Sequence, residues 1–502
     1  MTAGRDWVWL PDLVAFGPRC QPTGGVGGLG KAWARAVDRW AVRVALTAGI
    51  RCSTGAASVL GAVCQRSGGG WGCPSHLPPG GTVFVSQRVF RSGRARRHRV
   101  ITASVLAVGL AVATMVPAAA APGVGGDSQR AQLRQFARDL VAAGAPGVIV
   151  RVDDGHGRPV EIAEQADWSR RDHQLRPDDE FREGSNTKTM MATLVLQLVA
   201  ERKLSLTDPV EKWLPGKIPN GTAITLRMLL NHTSGLYDYT NDPAILPAYV
   251  GRDPRRWTSL DLLALGVQHD PLFPPGTRTS YSNTNYVAVG AVLERVTGMS
   301  LADLVRDRIA RPLNLTHTYY AADTPWRGPH AHGYELDAAH MPPTVPAELH
   351  DLAGPHHDGH VDVSDMNLSV GGAAGAMVST APDWSRFFNA LMSGRLLPAE
   401  QLAQMRTTVP IDPTDPDGPG QGLGIQTAAR PCGTVWAHDG GLPGYLSVNI
   451  TDGTGTRTAT VLVATELWAE FDSDPVINAA DRALTTATIC AMFGKPVPTE
   501  AG

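Results

Sequence analysis

The chain has 502 residues and a formal net charge of −2, its 45 basic residues nearly balanced by 47 acidic ones. That length supports a large hydrophobic core and more than one structural unit. The near-neutral charge excludes a protein organised around nucleic acid or another polyanion.

Residues 1–90 are rich in Gly, Cys and isolated Arg or Trp and show no sustained helix or strand period, so they read as an upstream extension without a fold of its own. The basic run from Arg91 to Arg99 is followed by an apolar stretch, 100–116, and by Pro117 and four alanines. Positive, apolar and small-residue parts in that order make a secretory signal at 91–121. A signal belongs at the N-terminus, which places the expected start of translation at one of Val83, Val85, Val89 or Val100. The alternative is a membrane anchor at 101–116, short against the roughly 20 residues of a span. No Cys follows the apolar stretch to carry a lipid, and Arg96-Arg97 is a weak match to a twin-arginine signal. Cys20, Cys52, Cys64 and Cys73 lie in the extension, leaving Cys432 and Cys490. An exported domain lets those two pair as a disulfide, although sequence does not fix their distance.

The mature domain is expected over 127–495. Leu133, Phe136, Ala137, Leu140 and Val141 recur at helix spacing until Gly144 and Pro146, predicting a helix over 128–142. A strand over 147–152, a turn at 153–157 and a returning strand over 159–166 form a hairpin. The chain then passes through Phe181-Arg182-Glu183-Gly184-Ser185 into an apolar run, 190–200, that reads as a helix buried on every face. Ser185 and Lys188, three apart, lie on one face of its start and set an amine beside a hydroxyl. The helix N-terminus favours the negative charge an attacking Ser185 develops. Alone this spacing is weak evidence, since an ordinary capped core helix explains it too; no other Lys of this chain has a Ser three residues before it.

A mostly helical subdomain is expected at about 205–365, inserted into the sheet-bearing part. Within it Pro274-Pro275-Gly276-Thr277 turns the chain towards Tyr281 and Asn283, a proton carrier and an amide clamp at a helix entry; a turn Tyr and an N-capping Asn are the plainer reading. Tyr239-Thr240-Asn241 has the same pattern but no buried helix after it. Late in the chain, His438-Asp439-Gly440-Gly441 adjoins strand-like runs at 445–450 and 458–464, which flank a turn at 452–455. His357-Asp358-Gly359 is set aside as a loop without strand context, and its neighbours His356, His360 and Asp362 read as a solvated loop rather than metal ligands. Gly371-Gly372-Ala373-Ala374-Gly375 lacks a following Lys and reads as close backbone packing, not a phosphate cradle.

Taken in order, Ser185-Asn186-Thr187-Lys188, Tyr281-Ser282-Asn283 and His438-Asp439-Gly440 resemble the serine beta-lactamase and D-alanyl-D-alanine carboxypeptidase family, in its class C-like branch. The segments 224–236 and 275–286 are also typical of that branch, and the resemblance covers about 130 to 490. It implies an α+β fold, an antiparallel sheet flanked by helices with an all-helical subdomain, and a cleft between them. It implies Ser185 as acylated nucleophile, Lys188 as neighbouring base, Tyr281 as proton shuttle and His438 completing the catalytic set. Asn283, Asp439 and Gly440 are the implied substrate-binding residues, and the N–H groups of Ser185 and Gly441 the oxyanion hole. Which of Lys188 and Tyr281 takes the first proton is left open.

Two departures bear on substrate. His438 stands where penicillinases commonly carry Lys, and Asp439 where carboxypeptidase relatives often carry Thr. An ionised Asp439 facing a terminal carboxylate would repel it unless turned away or protonated. The expected function is a secreted serine hydrolase working through an acyl-enzyme, D-alanyl-D-alanine carboxypeptidase-like, with an esterase or D-amino-acid amidase or aminopeptidase as alternative. A penicillin-binding or sensing domain without turnover is a third reading. The expected partners are small peptide, ester or amide substrates and beta-lactams, with a membrane only if 101–116 is kept as an anchor. No nucleic acid, metal or organic cofactor is implied.

Overall fold

Alternating valines make the first strand, β1 (Gly147–Asp153): Val148, Val150 and Val152 pack on one side and Ile149 on the other, the pattern of a strand covered on both faces. The structure, a computed structural model, describes residues 124–322, 325–466 and 475–498; the extension, the signal segment and the four early cysteines lie outside these. Helix α1 (Val124–Ala142) leads into β1, and β2 (Val160–Gln165) returns beside it with Ile162 opposite Val150. The other long strands come from the far end of the chain: β3 (Gln426–Arg430), β4 (Gly433–Leu442), β5 (Tyr445–Thr451) and β6 (Thr458–Val463). The sheet order is β2-β1-β6-β5-β4-β3, then two short edge strands at 420–421 and 409–410. Each pairing is antiparallel.

Two helical layers cover this sheet. On one side α1 and the last helix pack Leu133, Ala137, Leu140, Leu484 and Ala487 against Val148, Val461 and Val463. That last helix, Pro475–Met492, is tied to the chain just before β4 by a disulfide between Cys490 and Cys432, with Cα atoms 5.0 Å apart. The other side holds the larger core, around α2 (Thr187–Ala200), α3 (Asn283–Thr297) and α4 (Ala381–Met392). In α2 every residue from Thr187 to Leu196 is buried, as expected for a helix apolar all round. Among the described residues no helix is long and apolar enough to cross a membrane.

The inserted region departs from the expected helical subdomain. Its α-helices end at Leu313, and beyond them come short strands at Tyr319–Tyr320, Tyr334–Leu336, His356–His357 and His360–Asp362, with one 3-10 turn at Ala347–Leu349 between them. His357-Asp358-Gly359, read from sequence as a loop without strand context, is therefore a hairpin turn, with His357 opposite His360. Asp358 and Gly359 both take positive φ, 52° and 77°, which is what a two-residue hairpin turn requires.

Candidate active site

Ser185 sits in a single tight turn, Gly184–Asn186, that feeds straight into α2. Gly184 has φ +48°, and a Cβ there would stand 2.7 Å from the N and 2.8 Å from the O of Gly441. Only a residue without a side chain lets the nucleophile turn press this closely on β4. A buried polar network fastens the contact. Asn186 Nδ2 donates to Ser447 Oγ (2.8 Å), whose hydroxyl is shared between the carbonyls of Glu183 (3.0 Å) and Gly440 (3.2 Å). Asn449 Nδ2 donates to Glu183 Oε2 at 2.8 Å. Burial pushes the Glu183 carboxyl up to about 8, so at neutral pH it is largely a protonated acid.

Lys188, the second residue of α2, is fully buried. Its Nζ lies 2.8 Å from Ser185 Oγ, 2.7 Å from Asn283 Oδ1 and 3.1 Å from the carbonyl of Ala374. These contacts aim the amine at the nucleophile, and the Ser185–Lys188 separation is one along which a proton passes in either direction. Asn283 is the first residue of α3; the N-cap is Ser282. Asn283 Nδ2 donates to Asp238 Oδ2 at 3.0 Å, so Asp238 fixes which end of the amide faces Lys188. The glycine-rich segment supplies the Ala374 carbonyl from its short helix, Gly372–Gly375.

Tyr281 offers its ring face to Lys188, 4.7 Å from Nζ to the centroid. On its other contacts it stacks on His232 (centroids 4.3 Å) and lies tilted against His438 (6.5 Å). Both imidazoles are buried and neutral. His232 Nδ1 accepts from the Ser282 N–H (3.2 Å) and Asn285 Nδ2 (3.1 Å), and burial, then the Lys188 charge, hold its pKa far below the usual imidazole range. His438 Nδ1–H donates to the Asp439 carbonyl at 2.6 Å; burial, then Lys188, lowers its pKa to about 3. This leaves His438 Nε2 as an acceptor, buried and with no hydrogen-bond partner among the described residues.

The edge of β4 completes the site. Leu442 faces Tyr445 across a two-residue turn, so Leu442, Gly440 and His438 form the hydrogen-bonded pairs with β5, while Gly441 and Asp439 turn their backbone groups outward. β3 pairs β4 only as far as Ala437, and the outward N–H of Gly441 therefore lies along an edge that neither neighbouring strand covers. It stands beside the Ser185 turn, the arrangement of an oxyanion hole. Gly440 is buried, and a Cβ on it would meet Glu183 O at 2.1 Å and Ser185 N at 2.7 Å. The missing side chain lets β4 pack directly under the nucleophile turn. The Asp439 carboxylate stays near His438, Oδ1 3.8 Å from His438 Nδ1; burial raises its carboxyl.

The structure thus brings Ser185, Lys188, Tyr281, Asn283, His438 and Gly441 together. Asp238, His232 and Glu183 were not singled out from sequence. His232 lies in the segment already noted as typical of the class C-like branch, the one available signal; Asp238 and Glu183 offer none. A fourth, Glu466, follows β6 and reaches Gly441, where a Cβ would meet its Oε1 at 2.1 Å. The histidine-rich hairpin is elsewhere, its rings engaged by His357–Asp172 (3.3 Å) and His360–Trp168 stacking (4.3 Å).

A family profile described as Beta-lactamase matches residues 133–483. Penicillin-binding protein 4* of Bacillus subtilis is 27% identical over 340 residues, which are 64% of this chain and 67% of that protein. The teichoic acid D-alanine hydrolase of Staphylococcus aureus is 31% identical over 163 residues, 32% of this chain and 38% of that one. Among solved structures, a D-stereospecific amidohydrolase from Streptomyces sp. is 34% identical with a TM-score of 0.60, covering 72% of this chain and 99% of its own. The D-amino acid amidase of Ochrobactrum anthropi SV3, complexed with D-phenylalanine, is 26% identical with a TM-score of 0.61, covering 72% and 99%. The matched span takes in the Ser185 turn, α3 and β4 alike, and on this ground the chain belongs to the beta-lactamase family, as a serine hydrolase.

Proposed function

We propose that this protein hydrolyses an amide or ester bond at a D-amino acid through an acyl-enzyme on Ser185. The observation that carries the reading is the 2.8 Å contact between Lys188 Nζ and Ser185 Oγ, made by a lysine with no exposure to solvent. In its neutral form, with its two N–H groups on Asn283 Oδ1 and the Ala374 carbonyl, Lys188 takes the hydroxyl proton as Oγ attacks the carbonyl carbon, and the N–H groups of Ser185 and Gly441 hold the oxyanion. The proton reaches the leaving group through Tyr281, with neutral His438 Nε2 as an acceptor beside it. Water then releases the acyl group by the reverse proton path. Supporting the D-amino acid are the D-stereospecific amidohydrolase and D-amino acid amidase among the similar structures.

A carboxypeptidase acting on D-alanyl-D-alanine termini is the second reading. It is favoured by the upward shift of the Asp439 carboxyl, which weakens the repulsion a terminal carboxylate would meet. Intact-mass spectrometry of the protein with an activated ester and with a penicillin, beside Ser185→Ala, tests the acyl-enzyme: an adduct on the wild type alone is expected, and none on either chain refutes the mechanism. Turnover of a D-alanyl-D-alanine peptide against its C-terminal amide then separates the two readings. A long-lived penicillin adduct without turnover of any substrate marks a binding or sensing domain. Export through the 91–121 signal belongs to the proposal and is supported by the Cys432–Cys490 disulfide; a mature N-terminus upstream of residue 100 in secreted protein refutes it.

A further inference from the structure

We propose that Asp238 is a positioning residue that sets the direction of proton transfer at Lys188, by holding the Asn283 amide with its oxygen towards the amine. The inference rests on the acyl-enzyme reading and assigns a further residue to that same site. It begins from a run of three pairings. Ser282 Oγ donates to the Tyr237 carbonyl (3.2 Å), Asn283 Nδ2 to Asp238 Oδ2 (3.0 Å), and the Tyr239 N–H to Thr284 Oγ1 (3.0 Å). Consecutive residues of the loop thus meet consecutive residues at the entry of α3, with Asp238 and Asn283 in the middle. Tyr239, buried, fastens the loop by donating from Oη to the Val370 carbonyl (2.7 Å). The Tyr239–Asn241 turn, whose sequence repeats the pattern of Tyr281 and Asn283, is therefore part of the support beneath them.

An amide rotated by half a turn exchanges Oδ1 for Nδ2 with almost no change of shape, so packing alone does not choose its orientation. Asp238 does. It caps the Tyr239–Asn241 turn, with Oδ1 accepting from the Thr240 N–H at 3.1 Å. Both of its oxygens therefore face N–H donors, an arrangement that an ionised carboxylate satisfies. Burial raises this carboxyl, and the hydrogen bonds from Thr240 and Asn283 oppose the rise.

With an acceptor at Oδ2 of Asp238, Asn283 turns Nδ2 to it and Oδ1 to Lys188, where Oδ1 lies 2.7 Å from Nζ. That oxygen and the Ala374 carbonyl (3.1 Å) take the two N–H groups of the neutral amine and turn its lone pair to Ser185 Oγ, 2.8 Å away. This is the polarity a base needs. Turned round, the amide would offer an N–H to that lone pair, and Lys188 would donate to the very hydroxyl it has to deprotonate.

The test is Asp238→Asn, which keeps the shape and reverses one end. The Thr240 N–H is an obligate donor and claims the new amide's oxygen, so its NH2 group faces Asn283 and turns that amide round. Acylation by p-nitrophenyl acetate reads the base step, because p-nitrophenolate leaves without a proton. Its rate is expected to fall about a hundredfold, the share of a general base. The acidic limb of kcat/KM is expected to move to lower pH, since an ammonium that faces an N–H and has lost the Asp238 charge gives up its proton more readily. The other titratable groups facing Lys188, namely His232, His438, Asp439, Tyr281 and Tyr286, are the same in both proteins. A rate within a few-fold of wild type overturns the proposal. So does a loss that follows the folded fraction, read by circular dichroism, while the limb stays in place, the mark of a purely structural role. Neutron diffraction of the wild type decides the same point without a variant: deuterium on Asn283 Nδ2 aimed at Asp238, with Nζ donating to Oδ1, upholds it, and an Asn283 N–D aimed at Nζ refutes it. The acyl-enzyme reading fails separately, by absence of any adduct on Ser185 of the wild type.

Discussion

At the scale of single residues, Gly184 and Gly441 allow the nucleophile and the oxyanion donor to meet, but they tolerate change differently. A Cβ at Gly184 runs into backbone atoms of Gly441 at 2.7 and 2.8 Å, in a left-handed conformation besides. Neither obstacle can rotate away, so Gly184→Ala is expected to slow acylation of Ser185 by an activated ester on the order of a hundredfold, as loss of one oxyanion donor does. Stopped-flow release of the ester's alcohol measures it, and an unchanged rate shows that the turn is not what spaces the two donors. At Gly441 the obstacle is the far end of a side chain, so Gly441→Ala displaces Glu466 and leaves the turn in place. Its expected effect on ester acylation is therefore smaller than that of Gly184→Ala, read by the same stopped-flow measurement. Sequence revealed Ser185, Lys188, Tyr281 and Asn283 because the first two share one helical turn and the other two one loop. Glu466 and Asp238 were hidden because nothing local distinguishes them: each acquires its place only when a distant element, β4 or α3, packs against it.

At the scale of elements, the link between the Ser185 turn and β5 is a buried polar network, and its acid gives the fold a pH dependence with two opposite parts. Glu183 has a folded pKa of about 8 against an ordinary 4.5. The folded state holds its proton the more tightly, so this contribution is fully present below about 4.5 and lost as pH rises through about 8. His438, near 3 against 6.5, runs the other way: the unfolded chain takes up the proton first, and stability falls as pH drops from 6.5 towards 3. Glu183→Gln keeps an acceptor for Asn449 and removes the titration. Urea melts at pH 5 and pH 8 are expected to show the wild type losing a few kcal/mol more than the variant over that interval; parallel losses would place the alkaline sensitivity elsewhere. The elements that carry this network were legible as elements, since α2 and β5 have unbroken apolar or alternating patterns. The hairpin at 356–362 was not, because two- and three-residue strands of His and Pro-flanked sequence show no period, and its Asp-Gly turn was the one signal available.

At the scale of the whole molecule, the site draws on residues 183–188, 238, 281–283, 374 and 438–441, and the sheet that positions them is closed by pairing β1 with β6 across most of the chain. A fold with such distant pairings gains from any link that shortens the unfolded chain's freedom. The Cys432–Cys490 disulfide spans 58 residues, and loop-closure entropy for that length corresponds to about 4 kcal/mol, an upper figure. Its position separates stability from chemistry. Cys432 lies just before β4, and Gly441 near that strand's other end, about 30 Å away at the rise of an extended chain. Reduction, or the double change Cys432→Ser and Cys490→Ser, is therefore expected to lower Tm by several degrees while leaving the rate of Ser185 acylation at 25 °C unchanged. A fall in acylation rate matching the fall in stability would mean that the register of β4 at Gly441 depends on its anchored beginning, and that the sheet transmits strain along the strand instead of holding the oxyanion donor independently of it.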